Sequence, residues 1–465
     1  MPIITSSCLL STQLLFDIMK NPSIARVKQI SGHISKSTNT ENGLDKEQKE
    51  VLCQELHGGR LFILNRPKVL NSLNLSIIRQ IYPQLKNWEN SDKCKIIIIK
   101  SSTPKAYCAG GDVVEVVKGV KNQDPNAIKF FEEEYLLNYS LSTLKTPLVS
   151  FINGITMGGG VGLSVHSPFR IATESTLFAM PETKIGFLPD VGGSFFLPRL
   201  DGETGTYLAL TGERLKGEDT LYAGIATHFV PAARLDALEK CLCELHTSDL
   251  EIINSTIEKF VSEPTGHKYS LAKYRDVIDN CFHFDTMEEI FEALEKDQSE
   301  FSKKTLKTLK EMSPTSLKVT LRALRSGRKL DIASCFQMEY HLVQSFLADH
   351  DFAEGVNKAL VAKTRDPKWS PSTIFDISDK EILEKYFTVK HPYSLELSTA
   401  SSYHEYPHRH FALPSEAEIY DAFIAQKSLK LDKKTIIEQL TSNHHGKRGV
   451  LEKVLEVVDR KKLAH

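Results

Sequence analysis

No stretch of this chain approaches the roughly 18 consecutive apolar residues of a membrane-spanning helix; Ile96 to Ile99 has only the length of a strand. Excess charge of either sign is also missing. A formal net charge of -1 over 465 residues gives no general drive towards nucleic acid or an anionic membrane. The eight cysteines are scattered. Cys241-Leu242-Cys243 is the one close pair, and it lacks the matching pair that a zinc site needs. Reduced thiols are expected, with no metal and no cofactor. Repeats at solenoid periods are absent as well. What remains, 41% apolar and 25% charged residues, is the composition of an ordinary globular protein.

The first forty residues stand apart. Lys20, Arg26, Lys28 and Lys36 face Asp17 alone, and an apolar patch from Leu9 to Ile18 precedes the basic residues. That order resembles a mitochondrial presequence more than a secretory signal, so a mitochondrial location is expected; a leader without targeting function is the alternative. The chain then divides into a leader (1–45), a catalytic core (46–230), a helical region completing the active-site domain (231–370) and an appendage (371–465). Pro371, Pro392, Pro407 and Pro414 punctuate this last part, which reads as poorly ordered. Its His404, His408 and His410 have zinc-like spacing without supporting ligands.

Folded sequence begins near Val51. Arg60 to Leu64 reads as a strand closed by Pro67. Asn74 caps a helix with apolar residues at Leu75, Ile78, Ile81 and Leu85. Ile96 to Ile99 is the next buried strand, and Ala106 to Asp112 is the loop after it. A helix follows over 127–144. Leu148 to Ile152 is a strand running into Gly158-Gly159-Gly160. Phe169 to Ala172 and Leu177 to Met180 follow, then mainly helices from about 209 to 360, with Met312-Ser313-Pro314-Thr315-Ser316 as a break and a new cap. Strand–helix–strand order implies parallel crossovers, and the class is α/β.

Two glycine cradles carry the chemistry, Ala109-Gly110-Gly111-Asp112 and Gly158-Gly159-Gly160. Glycine lets a ligand approach the backbone, and the first N–H groups of a helix have no internal partner. The N–H groups of Gly111 and Gly159 can therefore meet on one oxygen as an oxyanion hole. Downstream, Glu182 follows Pro181, and Asp190 follows Phe187-Leu188-Pro189. Apolar neighbours raise a carboxyl's pKa, which suits a base or nucleophile. Taken singly, each of these acids reads equally as a cap or an ion-pair partner.

Over roughly 50–370 these motifs resemble the crotonase (enoyl-CoA hydratase/isomerase) superfamily, whose fold is a superhelix of ββα units. Asn65-Arg66-Pro67-Lys68 resembles its first CoA-binding loop, and the two glycine cradles resemble its oxyanion loops. Glu132-Glu133-Glu134-Tyr135, Phe178-Ala179-Met180-Pro181-Glu182 and Gly186-Phe187-Leu188-Pro189-Asp190-Val191-Gly192-Gly193 match its thioester-hydrolysing branch. Hydratases carry a glutamate where this chain has Gly162, so the resemblance implies hydrolysis rather than hydration. The implied substrate is the CoA thioester of 3-hydroxyisobutyrate, in valine breakdown. Gly111 and Gly159 are then implied to hold the thioester oxygen, with Glu182 attacking it or activating water. Asp190 is implied to bind the 3-hydroxyl and assist proton transfer, and Glu134 to contact substrate. Arg66, Lys68 and Lys363 are candidate partners of the CoA phosphates, or solvated surface charges. No nucleic acid is expected to meet the core. The resemblance also offers alternatives, a structural component of the mitochondrial ribosome derived from such a hydrolase, or a hydrolase of another short-chain 3-hydroxyacyl-CoA ester. Gly162→Glu is expected to set a second carboxylate opposite Glu182 and leave the fold intact.

Overall fold

The computed structural model describes residues 49–262, 266–427 and 432–463; the leader, with its expected presequence, lies outside them. Two sheets form the core. In the larger, the order is β1 (Val51–Leu56), β2 (Gly59–Leu64), β3 (Ile96–Ser101), β5 (Leu148–Ile152), β7 (Phe169–Ala172) and β10 (His228–Phe229). Only β1 and β2 pair antiparallel, through a tight hairpin; the other pairs are parallel. The smaller sheet runs β4 (Ala106–Cys108), β6 (Ile155–Met157), β8 (Leu177–Ala179), β9 (Leu215–Lys216), and β4, β6 and β8 are mutually parallel. Each of three successive units thus sends one strand to each sheet, β3 then β4, β5 then β6, β7 then β8. The start of the expected 106–112 loop is in fact a strand of this second sheet.

Helix α1 (Leu75–Glu89) starts where its cap was read, with Asn74 accepting from the Ile77 N–H at 2.9 Å. Helices α2 (Val113–Lys121) and α3 (Asn126–Ser142) follow β4. The glycine triplet opens only a single turn, α4 (Gly159–Gly162), and α5 (Gly193–Phe196) is equally short. The helical region ends with α6 (Pro314–Gly327), α7 (Ile332–Ala348) and α8 (His350–Val356). Ser313 caps α6 by accepting from Ser316, and Pro314 occupies the first turn, where its missing N–H costs nothing.

Period-two alternation along the parallel strands buries both faces of the larger sheet. Phe62, Leu64, Ile97 and Ile99 point towards α1, α3 and the catalytic loops. Leu61, Ile63, Ile96, Ile98, Val149 and Phe151 point the other way, onto Leu238, Leu242 and Ile253. The first of these layers continues without a break to Val458.

The described residues of the 371–465 segment differ from the expected poorly ordered appendage. They fold onto the core as α9 (Glu416–Lys427), α10 (Lys433–Asn443) and α11 (Val450–Arg460). Phe411 packs on Phe169 with ring centroids 4.9 Å apart, and Tyr406 packs on Phe195 at 5.1 Å. The prolines punctuate an extended strap that carries apolar anchors at intervals, and those anchors supply the order that secondary structure does not.

Candidate active site

The three parallel strands of the small sheet decide where the site lies. Their C-terminal ends point the same way, the usual place for a ligand beside parallel strands. Gly110-Gly111 leaves β4, Gly158-Gly159-Gly160 leaves β6, and Pro181-Glu182 leaves β8. Segments about fifty and seventy residues apart in sequence therefore meet at one edge.

At the first cradle, the Leu73 N–H donates to the Gly110 carbonyl and the Asp112 N–H donates to the Leu73 carbonyl, both at 2.8 Å. Successive peptide groups alternate in direction, so the Gly111 N–H between them faces away from Leu73. At the second, Gly159 is the first residue of its helical turn, and its N–H has no intrahelical acceptor. A Cβ at Gly159 would lie 3.4 Å from the Gly111 nitrogen. The two expected oxyanion donors are thus close neighbours.

The same loop is ringed by acids and amides at the places its glycines leave open. A Cβ on Gly158 would lie 2.7 Å from Glu182 Oε1, and one on Gly159 would lie 2.5 Å from Glu134 Oε1. Gly158 also has φ +46, which a side chain would strain. Glu134, Glu182 and Asp190 are 2%, 7% and 5% exposed. Glu134 Oε1 and Glu182 Oε2 have no protein partner, whereas Asp190 Oδ2 accepts the Tyr135 hydroxyl at 2.6 Å. Burial first, then the charges of Asp190 and Glu182, holds Glu134 well above the ordinary carboxylate range. Burial and Asp190 do the same to Glu182. Burial pushes Asp190 up to about 7, against the pull of the Tyr135 hydroxyl. Beneath the loop, Phe187 packs on Phe131, Phe346 and Phe352 at 5.5, 5.3 and 4.8 Å, which keeps water from this side.

Asp190 is held by residues that the sequence reading missed. The next residue, Val191, sits at φ +53, a strained conformation for a β-branched side chain. Glu339 on α7, fully buried, stabilises it by accepting from the Gly192 N–H (2.7 Å), the Ser194 N–H (2.8 Å) and the Ser194 hydroxyl (2.5 Å). Burial raises Glu339 to about 8. His166 Nε2 donates to the Val191 carbonyl at 2.9 Å, so His166 Nδ1 accepts from the Tyr406 hydroxyl at 2.8 Å. Burial lowers His166 to about 4, which keeps this tautomer neutral. The one sequence signal for Glu339 was an acid among the apolar residues of a helix. The tail's contact through Tyr406 had none.

Gly162 departs from expectation. A Cβ there would lie 2.6 Å from Val191 Cβ and 2.8 Å from Asn138 Nδ2. The place of a hydratase glutamate is filled by Asn138 and Val191, so Gly162→Glu cannot enter without moving the loop that holds Asp190. Arg66 pairs with Glu50 at 2.8 Å and Asp112 at 3.4 Å and donates to the Ser72 carbonyl at 2.6 Å. Its guanidinium is engaged in tying the first loop to the Gly111 cradle. Lys68 and Lys363 are exposed. Among the described residues, no group of three His, Cys, Asp or Glu side chains could hold a metal ion. The His404 carbonyl accepts from Arg199, and His410 lies 3.5 Å from Glu251.

Comparison with known proteins gives concordant results. Residues 59–387 match the Enoyl-CoA hydratase/isomerase family. Human mitochondrial 3-hydroxyisobutyryl-CoA hydrolase is 45% identical over 360 residues, covering 77% of this chain and 92% of that protein. The small ribosomal subunit protein mS47 of Neurospora crassa is 43% identical over 442 residues, covering 89% of this chain and 86% of that protein. Among solved structures, a carnitinyl-CoA dehydratase from Mycobacterium thermoresistibile superposes with a TM-score of 0.69 at 32% identity. It covers 75% of this chain and 99% of that one.

Proposed function

The chain belongs to the enoyl-CoA hydratase/isomerase family, and from that footing we propose that it hydrolyses the thioester of 3-hydroxyisobutyryl-CoA to the free acid and CoA, in the mitochondrion. The observation that carries this reading is the filled space at Gly162. Adding water across a carbon–carbon double bond uses two carboxylates facing the substrate, and Asn138 and Val191 leave no room for the second. Thioester cleavage needs an oxyanion hole, one nucleophile or base, and one proton donor.

In this mechanism the N–H groups of Gly111 and Gly159 hold the thioester oxygen as it gains charge. Glu182, ionised and poorly solvated, attacks the thioester carbon, and the carbon–sulfur bond breaks as the thiolate leaves. Water then cleaves the mixed anhydride, releasing the acid and the Glu182 carboxylate, and the proton that the water loses restores the acid form of Asp190. Where Glu182 instead takes a proton from water, that water attacks the carbon directly, with the same demands on the cradle. Asp190, titrating near neutrality, gives its proton to the departing sulfur and meets the 3-hydroxyl. Glu134 lines the acyl end. Lys68 supplies charge for the CoA phosphates from the first loop, and Arg66 steadies that loop.

Thiol release from a panel of acyl-CoA thioesters tests the reading. 3-Hydroxyisobutyryl-CoA is expected to be cleaved fastest, and hydration of crotonyl-CoA outrunning any cleavage would defeat the proposal. A second role has one observation in its favour. The mS47 match covers 89% of this chain, against 77% for the human hydrolase. On this reading the protein also associates with the mitochondrial ribosome, and the tail beyond residue 387, where the family match ends, is the candidate docking part. Co-sedimentation with mitochondrial ribosomes that survives raised salt is the expected result; loss of all association at low salt would exclude it.

A further inference from the structure

Asn138 lies on α3 one turn after Glu134, on the same face, and is completely buried. Neither its Nδ2 nor its Oδ1 has a hydrogen-bond partner in the protein. A buried amide with both ends unmatched is costly to the fold, and such a group within a catalytic cluster points to a ligand. Its surroundings agree. Three residues of one segment each have a polar group standing where their side chain would be, namely Glu182 at Gly158, Glu134 at Gly159 and Asn138 at Gly162. The first two of these acids also keep an unpartnered oxygen. Asn138 is therefore the third member of a polar ring around the acyl end of the site.

We propose that Asn138 binds the hydroxyl of the substrate's acyl chain and selects for 3-hydroxyacyl over unsubstituted acyl thioesters; this rests on the hydrolase reading above. Gly162 follows Gly159 by three residues of helical turn, a rise of about 4.5 Å. A thioester oxygen on the Gly159 N–H and a hydroxyl on the next carbon but one of the same acyl chain span a similar distance. The chemistry of the two nearby groups is complementary. Asp190 Oδ2 already accepts the Tyr135 hydroxyl, and a substrate hydroxyl that donates to a neighbouring oxygen keeps lone pairs in need of a donor. The Asn138 Nδ2 is an amide donor beside the Asp190 loop, as its approach to the same open position as Val191 shows.

The test replaces the amide by an apolar group of similar shape, Asn138→Leu, and measures kcat/KM on 3-hydroxyisobutyryl-CoA and on isobutyryl-CoA. Loss of one buried hydrogen bond predicts a fall of about 10- to 100-fold on the hydroxylated substrate, and a markedly smaller fall on isobutyryl-CoA. Asn138→Ala provides the same comparison should the leucine variant fail to fold. The ratio of inhibition constants for 3-hydroxyisobutyrate and isobutyrate provides a readout independent of turnover, and is expected to collapse towards one. Equal losses on both thioesters, or an unchanged ratio, would overturn the proposal. The parent enzyme separates the two levels. If it does not favour the hydroxylated thioester, the hydrolase reading itself fails; if it does and the variants keep that preference, only the role of Asn138 falls.

Discussion

In the proposed mechanism Glu182 acts as a carboxyl that prefers its proton, because burial and Asp190 both oppose its charge. Activity requires the ionised form, so kcat/KM is expected to fall as the pH drops, with the limb well above the usual carboxylate range; a pH–rate profile measures it. Glu182→Gln should reduce turnover about 10³-fold or more. It should also make the protein more stable. A carboxyl whose pKa is higher folded than unfolded favours the folded state while protonated and loses that contribution as the pH rises through its folded value. The melting temperature of Glu182→Gln should therefore exceed that of the parent by more at pH 8.5 than at pH 5.5. The opposite trend would mean that Glu182 is stabilised as an anion. At Gly162, the 2.6 Å approach of Val191 Cβ predicts that Gly162→Glu loses hydrolysis together with about 1–3 kcal/mol of stability. Urea unfolding at the parent midpoint would show that the loop yields freely.

The 190–194 loop depends on elements distant in sequence. Val191 is held in an unfavourable conformation by Glu339 from α7 on one side and His166 on the other. Glu339→Ala leaves the Gly192 and Ser194 donors buried and unmatched, at a cost of about 3 kcal/mol or more. The expected kinetic signature is a lower kcat with little change in KM, because Asp190 is displaced while the CoA loop is untouched. A purely structural role would lower stability and leave kcat per folded molecule unchanged, which activity normalised to folded protein distinguishes.

Across the whole molecule, charge joins the tail to the core. Arg275, 2% exposed, pairs with Glu416 of α9 at 2.5 Å, and Arg460 of α11 reaches the same carboxylate. Lys453 of α11 pairs with Asp201 at 2.6 Å. Glu416→Ala strands a buried arginine beside Arg460 and should cost about 3–5 kcal/mol, read by urea unfolding. A stability within 1 kcal/mol of the parent would mean that Asp279, 3.2 Å from Arg275, compensates. Through Tyr406 and His166 the tail also reaches the Val191 carbonyl, so an enzyme lacking it is not expected to keep the parent rate.

What the sequence determined by itself was local. Strands at 60–64, 96–99, 148–152 and 169–172, the caps at Asn74 and Ser313, and two glycine cradles followed by Glu182 and Asp190 could be read because periodicity, capping and glycine act over a few neighbours. Glu134 was reached only through the family resemblance, while Asn138 beside it on the same helix face went unread. The tertiary structure alone decided which groups meet. Parallel pairing of β4, β6 and β8 collects three loops at one edge. Asn138 fills the space at Gly162 from 24 residues away, and Glu339 holds Gly192 from 147 residues away. The tail showed the same limit: its prolines read as disorder, but Tyr403, Tyr406 and Phe411 find their partners on the far side of the fold. Close packing matches such pairs by shape and by unmet hydrogen bonds, and neither leaves a periodic trace along the chain.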